Sequence, residues 1–333
     1  MDPISQGLVG AALSQSQGTD KQIKVAGLLG FLSGMAADLD VLIRSNSDPL
    51  LFLEYHRQFT HSLIFIPLGG LICALVLHKL ISQKHQITLR TSWFFCTLGY
   101  ATHALLDTCT TYGTQLLWPF SDARIAWNIM SIIDPLYTIP LAVLLLAASL
   151  ARKRIFAIVA LAWVISYPLI GLIQRERAIE GGYAAAATRN HYPPALVAKP
   201  SFGNLIVWKT VYEIDDHYYV DAIRAGLDID FFPGESVPKL ELKRDFPWLA
   251  TGSQQARDID RFRWFSNGFI AKDPENGNRI IDIRYSMIPN EISALWGIEL
   301  SKDAHLERHA LYETSRERPR AKANHLLQMI FND

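Results

Sequence analysis

The chain has 333 residues, half of them hydrophobic, with zero formal net charge and a pI near neutrality. That length favours two domains. The charge balance excludes a nucleic-acid binder that works through a basic surface, and no nucleic-acid partner is expected. The three cysteines, Cys73, Cys96 and Cys109, form no CxxC pair, which excludes a disulfide framework and a zinc ribbon.

Two short apolar stretches come first, 4–15 and 24–37. They are short for independent membrane spans and read as a helical hairpin packed beside a bundle. Four longer stretches follow at 62–81, 91–108, 132–151 and 155–173. Each approaches the ~20 residues that a bilayer-crossing helix needs. The fold expected for 1–178 is therefore a mainly α membrane bundle of four long spans plus the hairpin, lying in the lipid bilayer. The connections 78–90 and 152–154 carry Lys79, Lys84, Arg90 and Arg152-Lys153-Arg154. Basic loops stay in the cytoplasm. Acids outnumber bases in loops 38–61 and 109–131, so these would face outward with the tail. Lys21 and Lys24 at the hairpin tip agree.

Beyond residue 180 charged residues are about twice as dense. Segments 204–214, 217–223 and 279–287 are rich in β-branched and aromatic residues, broken by Pro, Gly and Asp. The stretch 179–333 reads as a soluble, strand-rich α+β domain with a polar helix near 301–316.

The chemistry-bearing residues sit in the apolar half. GYATHALLD places His103 and Asp107 four apart, on one helix face. Ionisable groups in hydrocarbon pair with one another, line wet cavities or bind ions. GMAADLDVL supplies Asp38 and Asp40, EYHRQFTHSL supplies His56, Arg57 and His61, and SIIDPLY supplies Asp134. The expected topology brings all of them to one membrane face. Singly, each has a plainer role: Asp38 could end its helix and Asp134, before Pro135, could be a helix N-cap. Together they form a donor set for Zn²⁺, with Mn²⁺ or Fe²⁺ as alternatives. A metal there would activate water and stabilise charge on a scissile carbonyl or phosphoryl oxygen. Arg57 or Arg124 would hold an anionic head group, and Asp134 or Asp38 would take a proton. His305 and His309, also i, i+4, lie in a polar segment and point weakly to a site. Asp215-Asp216-His217 reads as a turn between strands.

Residues 1–140 resemble the YdjM-like, LexA-binding family of inner-membrane metal-dependent hydrolases. The resemblance rests on MDPISQGLVGAAL, DLDVL, HRQFTHSL, GYATHALLDTCTTYGTQLLWPF and IIDPLY. It implies a bacterial inner-membrane location, a metal-dependent hydrolase, and Asp38, Asp40, His56, His61, His103 and Asp107 as metal ligands, with Asp134 as a ligand or general base. The family commonly carries a histidine where this chain has Gln6. Hydrolysis of an ester or phosphoester of a lipid-like substrate is the expected reaction. The alternative is a non-enzymatic membrane adaptor with a structural metal and a protein partner. A transporter is disfavoured because the spans show no paired broken helices.

Overall fold

The computed structural model describes residues 1–315 and 319–331. In chain order the helices of the first half are α1 (Pro3–Gln17), α2 (Ile23–Gly34), α3 (Leu51–Tyr55), α4 (Ile66–Leu80), α5 (Leu89–Thr108), α6 (Pro135–Ala151) and α7 (Ile155–Ala187). A 3₁₀ turn, Ala36–Leu42, continues α2, and two more, Phe59–His61 and Leu63–Phe65, lead into α4. The chain divides into two compact units. The first comprises Met1–Leu42, Tyr55–Ile173 and Phe202–Asn204; the second comprises Ile43–Glu54, Gln174–Ser201 and Leu205–Asp333.

In the first unit all four long apolar stretches are helical. Among the described residues, three segments are long and apolar enough to cross a membrane: Ile23–Leu42, Leu63–Leu80 and Ile155–Ala187. The first of these corrects the expected short hairpin arm at 24–37. The 3₁₀ turn extends the apolar run through Leu42, beyond the point where periodicity alone ends it. Helix α6 is apolar but has 17 residues, and α5 has 20 with one polar, buried side.

The unit is turned inside out relative to a water-soluble bundle. Large apolar side chains face outward, including Leu68, Ile72 and Leu75 on α4 and Ile139, Val143 and Leu146 on α6. Small and polar residues fill the interior, including Ser5, Gln6, Ser14, Gln15 and Ser33. Hydrocarbon offers no reward for hiding Leu, so interfaces between membrane helices favour small residues that let backbones approach. A Cβ on Gly30 would stand 2.3 Å from the Gly10 carbonyl oxygen, and one on Gly99 would stand 2.4 Å from that of Gly30. The crossing of α1, α2 and α5 therefore depends on glycine. The three cysteines are free thiols.

In the second unit two antiparallel sheets form the core. The first runs β1 (Leu196–Pro200), β2 (Val207–Ile214), β3 (His217–Ala225) and β4 (Ile229–Phe232), with β5 (Ser236–Pro238) also on β3. Asp215 and Asp216, at φ 48° and 58°, make the tight turn between β2 and β3, as the sequence suggested. Two helices follow, α8 (Leu242–Asp245) and α9 (Gln254–Phe265), and then the second sheet, β6 (Ile270–Lys272), β7 (Arg279–Asp282), β8 (Trp296–Glu299) and β9 (Leu311–Thr314). Val211, Val220 and Val237 of the first sheet pack against Ala271, Ile281 and Ile283 near the second. The expected polar helix near 301–316 is not formed over the described residues. His305 and Arg308 make a turn, and 311–314 pairs with β8 instead, a non-local pairing that local propensity does not reveal. Residue 316 lies outside the described residues. The helix in this region, α10, spans Pro319–Phe331.

Candidate metal centre

Four segments bring the ligand-type side chains to one end of the first unit. Asp38 and Asp40 lie on the 3₁₀ turn after α2. His56 and Arg57 follow α3. His61 ends the 3₁₀ turn that leads towards α4. His103 and Asp107 project from the last two turns of α5. One ligand atom each from Asp38, His61, His103 and Asp107 lies within 4.8 Å of every other.

The individual distances are more telling. His61 Nε2 is 3.4 Å from Asp38 Oδ1 and 3.3 Å from Asp107 Oδ2. His103 Nε2 is 3.3 Å from Asp38 Oδ1, 3.6 Å from Asp107 Oδ2 and 3.0 Å from His61 Nε2. A tetrahedral ion with bonds of about 2.0–2.1 Å has ligand–ligand edges of roughly 3.3–3.4 Å. The five distances above run from 3.0 to 3.6 Å and bracket that value.

Hydrogen bonding fixes which atoms face the centre. His103 Nδ1 donates to the Gly34 carbonyl at 2.5 Å. His61 Nδ1 lies 3.0 Å from Thr60 Oγ1 and 3.2 Å from Asp40 Oδ2, while Thr60 Oγ1 donates to Asp40 Oδ2 at 2.7 Å. With both Nδ1 protons engaged, each neutral ring turns a lone pair on Nε2 inward. Supporting a ligand imidazole through its far nitrogen in this way is the usual arrangement at metal sites. Asp38 Oδ1 and Asp107 Oδ2 are buried without a hydrogen-bond donor. Four acceptor atoms therefore converge on one point; neither carboxylate oxygen accepts a hydrogen bond, and only Asp107 Oδ2 has a cationic side chain beside it, Arg57 with Nε at 3.1 Å. Such a set is costly unless a cation joins it. The residues fit a divalent ion by donor chemistry and by spacing.

Asp38, Asp40 and His56 form a second group with the same mutual spacing, sharing Asp38 with the first. Here both Asp40 oxygens already have donors. Oδ1 meets His56 Nδ1 at 2.8 Å, and Oδ2 accepts from the Arg57 backbone N–H at 3.0 Å as well as from Thr60. Asp40 thus orients three neighbours. Arg57 holds φ at 66°, which aims its N–H at Asp40.

Two expected roles change. Asp134 lies outside both groups. Its Oδ1 accepts from the Leu136 and Tyr137 backbone N–H groups at 3.1 and 3.4 Å, and Oδ2 accepts from Tyr167 at 2.6 Å. The carboxylate caps α6 ahead of Pro135, so both oxygens are engaged in holding the helix end. Arg57 is buried, not open to a head group. Its Nε lies 3.1 Å from Asp107 Oδ2, its Nη1 donates to Thr110 Oγ1 at 3.1 Å, and its guanidinium lies over the Tyr112 ring. It offsets the charge of Asp107. Arg124 also lies over Tyr112, and it donates to the carbonyls of Tyr112 and Gly113.

Gln6 was legible only as a departure from the family pattern. Its Nε2 donates to Asp107 Oδ1 at 2.7 Å, and the Met1 amino nitrogen contacts the same oxygen. Thr60, Gly34 and Thr110 gave no composition signal. Thr60 does lie inside HRQFTHS, between two histidines.

An apolar helical unit with outward-facing Leu and Ile, closed at one end by buried imidazoles and carboxylates, defines a membrane protein with a candidate metal-binding centre. The chain belongs to the YdjM inner membrane protein family, whose model matches residues 1–178. It is similar to the uncharacterized protein YfhP of Bacillus subtilis (strain 168), at 27% identity over 126 residues, which is 38% of this chain and 37% of that protein. It is also similar to the inner membrane protein YbcI of Escherichia coli (strain K12), at 32% identity over 107 residues, 31% of this chain and 60% of that protein. The match therefore spans less than two thirds of either relative. No solved structure matches the chain.

Proposed function

We propose that this protein is a metal-dependent hydrolase of the bacterial inner membrane, acting on an ester or phosphoester of a lipid or amphipathic substrate. One observation supports the reading: Asp38 Oδ1, His61 Nε2, His103 Nε2 and Asp107 Oδ2 converge, with each imidazole nitrogen 3.0–3.6 Å from the other three atoms, and Asp38 Oδ1 lacks a donor. A bound divalent ion, most simply Zn²⁺, would polarise the scissile carbonyl or phosphoryl oxygen and acidify an attacking water. The chain's own residues do the rest. Arg57 balances the charge of Asp107 from the buried side. His56, with Nδ1 held by Asp40 and its side chain 18% exposed, is the group placed to carry a proton through Nε2. Asp38, 19% exposed beside fully buried His61 and Asp107, marks the side from which substrate reaches the centre. In this reading α4, α5, α6 and α7 all span. The basic loops 78–90 and 152–154 stay in the cytoplasm, and the centre and the strand-rich unit lie outside.

Three measurements test it. Metal analysis of the purified protein should find a bound divalent ion that His103→Ala and Asp107→Ala both lose. A screen of lipid phosphates and esters with metal add-back should find turnover in wild type alone. Reporter fusions after residue 180 should report an extracytoplasmic tail; a cytoplasmic result reverses the orientation. The depth of the centre favours a second reading, an adaptor with a structural metal. Bound metal together with no turnover across the screen selects it.

A further inference from the structure

The segment between the two ligand-bearing stretches belongs to the other unit. Asp38 and Asp40 end in the first unit at Leu42, and His56 and His61 resume there from Tyr55. The intervening Ile43–Glu54 is part of the strand-rich unit. Within that unit it is held firmly. Arg261, on α9, donates from Nη1 to Asp48 Oδ1 at 2.9 Å and from Nη2 to Asp48 Oδ2 at 2.8 Å. Its Nε donates to Glu54 Oε1 at 2.5 Å, and Nη1 also reaches Asp258 Oδ1 at 3.0 Å. Asp258 is fully buried and is fixed in turn by His309 Nδ1 and by the Ala310 N–H at 2.9 Å. Phe52 packs edge-on against Tyr312, with ring centroids 4.9 Å apart, and Leu50 and Leu53 are buried. A guanidinium that grips one carboxylate with two parallel bonds fixes orientation as well as distance.

We propose that Arg261 is a positioning residue for the metal centre. By clasping Asp48 and Glu54 it fixes the middle and the far end of the segment, directly before the stretch that carries His56 and His61. Glu54 lies two residues before His56. Releasing the clasp frees a connection of about a dozen residues and lets the ligand-bearing stretches spread over more conformations. The ion would then have to pay for ordering them, which lowers its affinity. This inference rests on the metal-centre reading.

The test is Zn²⁺ affinity of the full chain in detergent, measured by competition with a chromophoric chelator. Hydrogen exchange is read in parallel over 43–61 and over β2 and β3. Arg261→Met should weaken Zn²⁺ binding by tenfold or more at unchanged stoichiometry. It should also raise exchange over 43–61 while β2 and β3 stay protected. The pair Asp48→Asn with Glu54→Gln, which leaves α9 intact, should do the same. Arg261→Lys should recover only part of the affinity. Arg257→Met is the control: its guanidinium donates to the Gly252 carbonyl and to Gln254 Oε1, away from Asp48 and Glu54, and the variant should bind as wild type. Wild-type affinity in both Arg261→Met and the Asp48/Glu54 pair overturns the proposal and leaves the metal centre standing. Failure of the wild-type protein to bind Zn²⁺, Mn²⁺ or Fe²⁺ removes the centre itself, and the positioning role with it.

Discussion

His61 Nε2 and His103 Nε2 face each other at 3.0 Å while each ring's Nδ1 is engaged on its far side. Neutral imidazoles so arranged present lone pair to lone pair, a repulsive pairing that a shared cation turns into an attractive one. Replacing His103 with Gln keeps a polar group of similar reach but removes the inward nitrogen. Metal content measured on purified protein should fall to background. Retention of a full equivalent would count against a shared ion.

Asp40 should matter nearly as much without touching the ion of the first group. Asp40→Asn removes the charge that His56, Arg57 N–H and Thr60 all address. Loss of such supporting partners typically weakens metal binding about 10–100-fold. Chelator competition should show that drop with stoichiometry preserved.

The glycine crossing sets the depth at which α2 and α5 meet. Gly30→Ala would drive a methyl into the Gly10 carbonyl. Overpacking of this kind costs roughly 1–3 kcal/mol. Thermal unfolding in detergent should shift down, and metal retention should suffer too, because the Gly34 carbonyl that holds His103 lies one turn further along α2.

Asp134→Ala separates a cap from a catalytic role. Losing an N-cap costs about 0.5–2 kcal/mol. Unfolding should occur at lower temperature, yet bound metal should stay at the wild-type level. A metal-free variant would return Asp134 to the ligand set.

The strand-rich unit carries its own pH signature. Burial pushes Lys209 down to about 7, against the opposing pull of Asp282. Its amine donates to Ser286 Oγ and the Glu291 carbonyl, the two bonds a neutral amine can make. Between pH 7 and about 10 the unfolded chain holds a proton that the folded chain has released. Stability should therefore rise with pH in that window, by up to about 1.4 kcal/mol per unit. Urea unfolding followed by tryptophan fluorescence should show the slope, and Lys209→Met should reduce it, leaving the part contributed by Lys199, which burial also pushes down.

The sequence by itself determined the bipartite plan, the apolar helices of the first half, the main strands of the second and the identity of the clustered residues. Each of these follows from local rules: hydrophobic run length, alternation, and the scarcity of ionisable groups in hydrocarbon. His103 and Asp107 share a face by helix geometry alone. Only the tertiary structure decided which oxygens and nitrogens converge, because that depends on contacts between residues far apart in sequence, such as His61 with His103 and Gly34 with His103. It also made Asp134 a cap and Arg57 a buried counter-charge, since the same side chain serves either purpose until its neighbours are placed. The extended second helix and the strand at 311–314 were hidden for the same reason. A 3₁₀ continuation and a pairing with β8 are settled by packing and by distant backbone partners, not by the residues' own propensities.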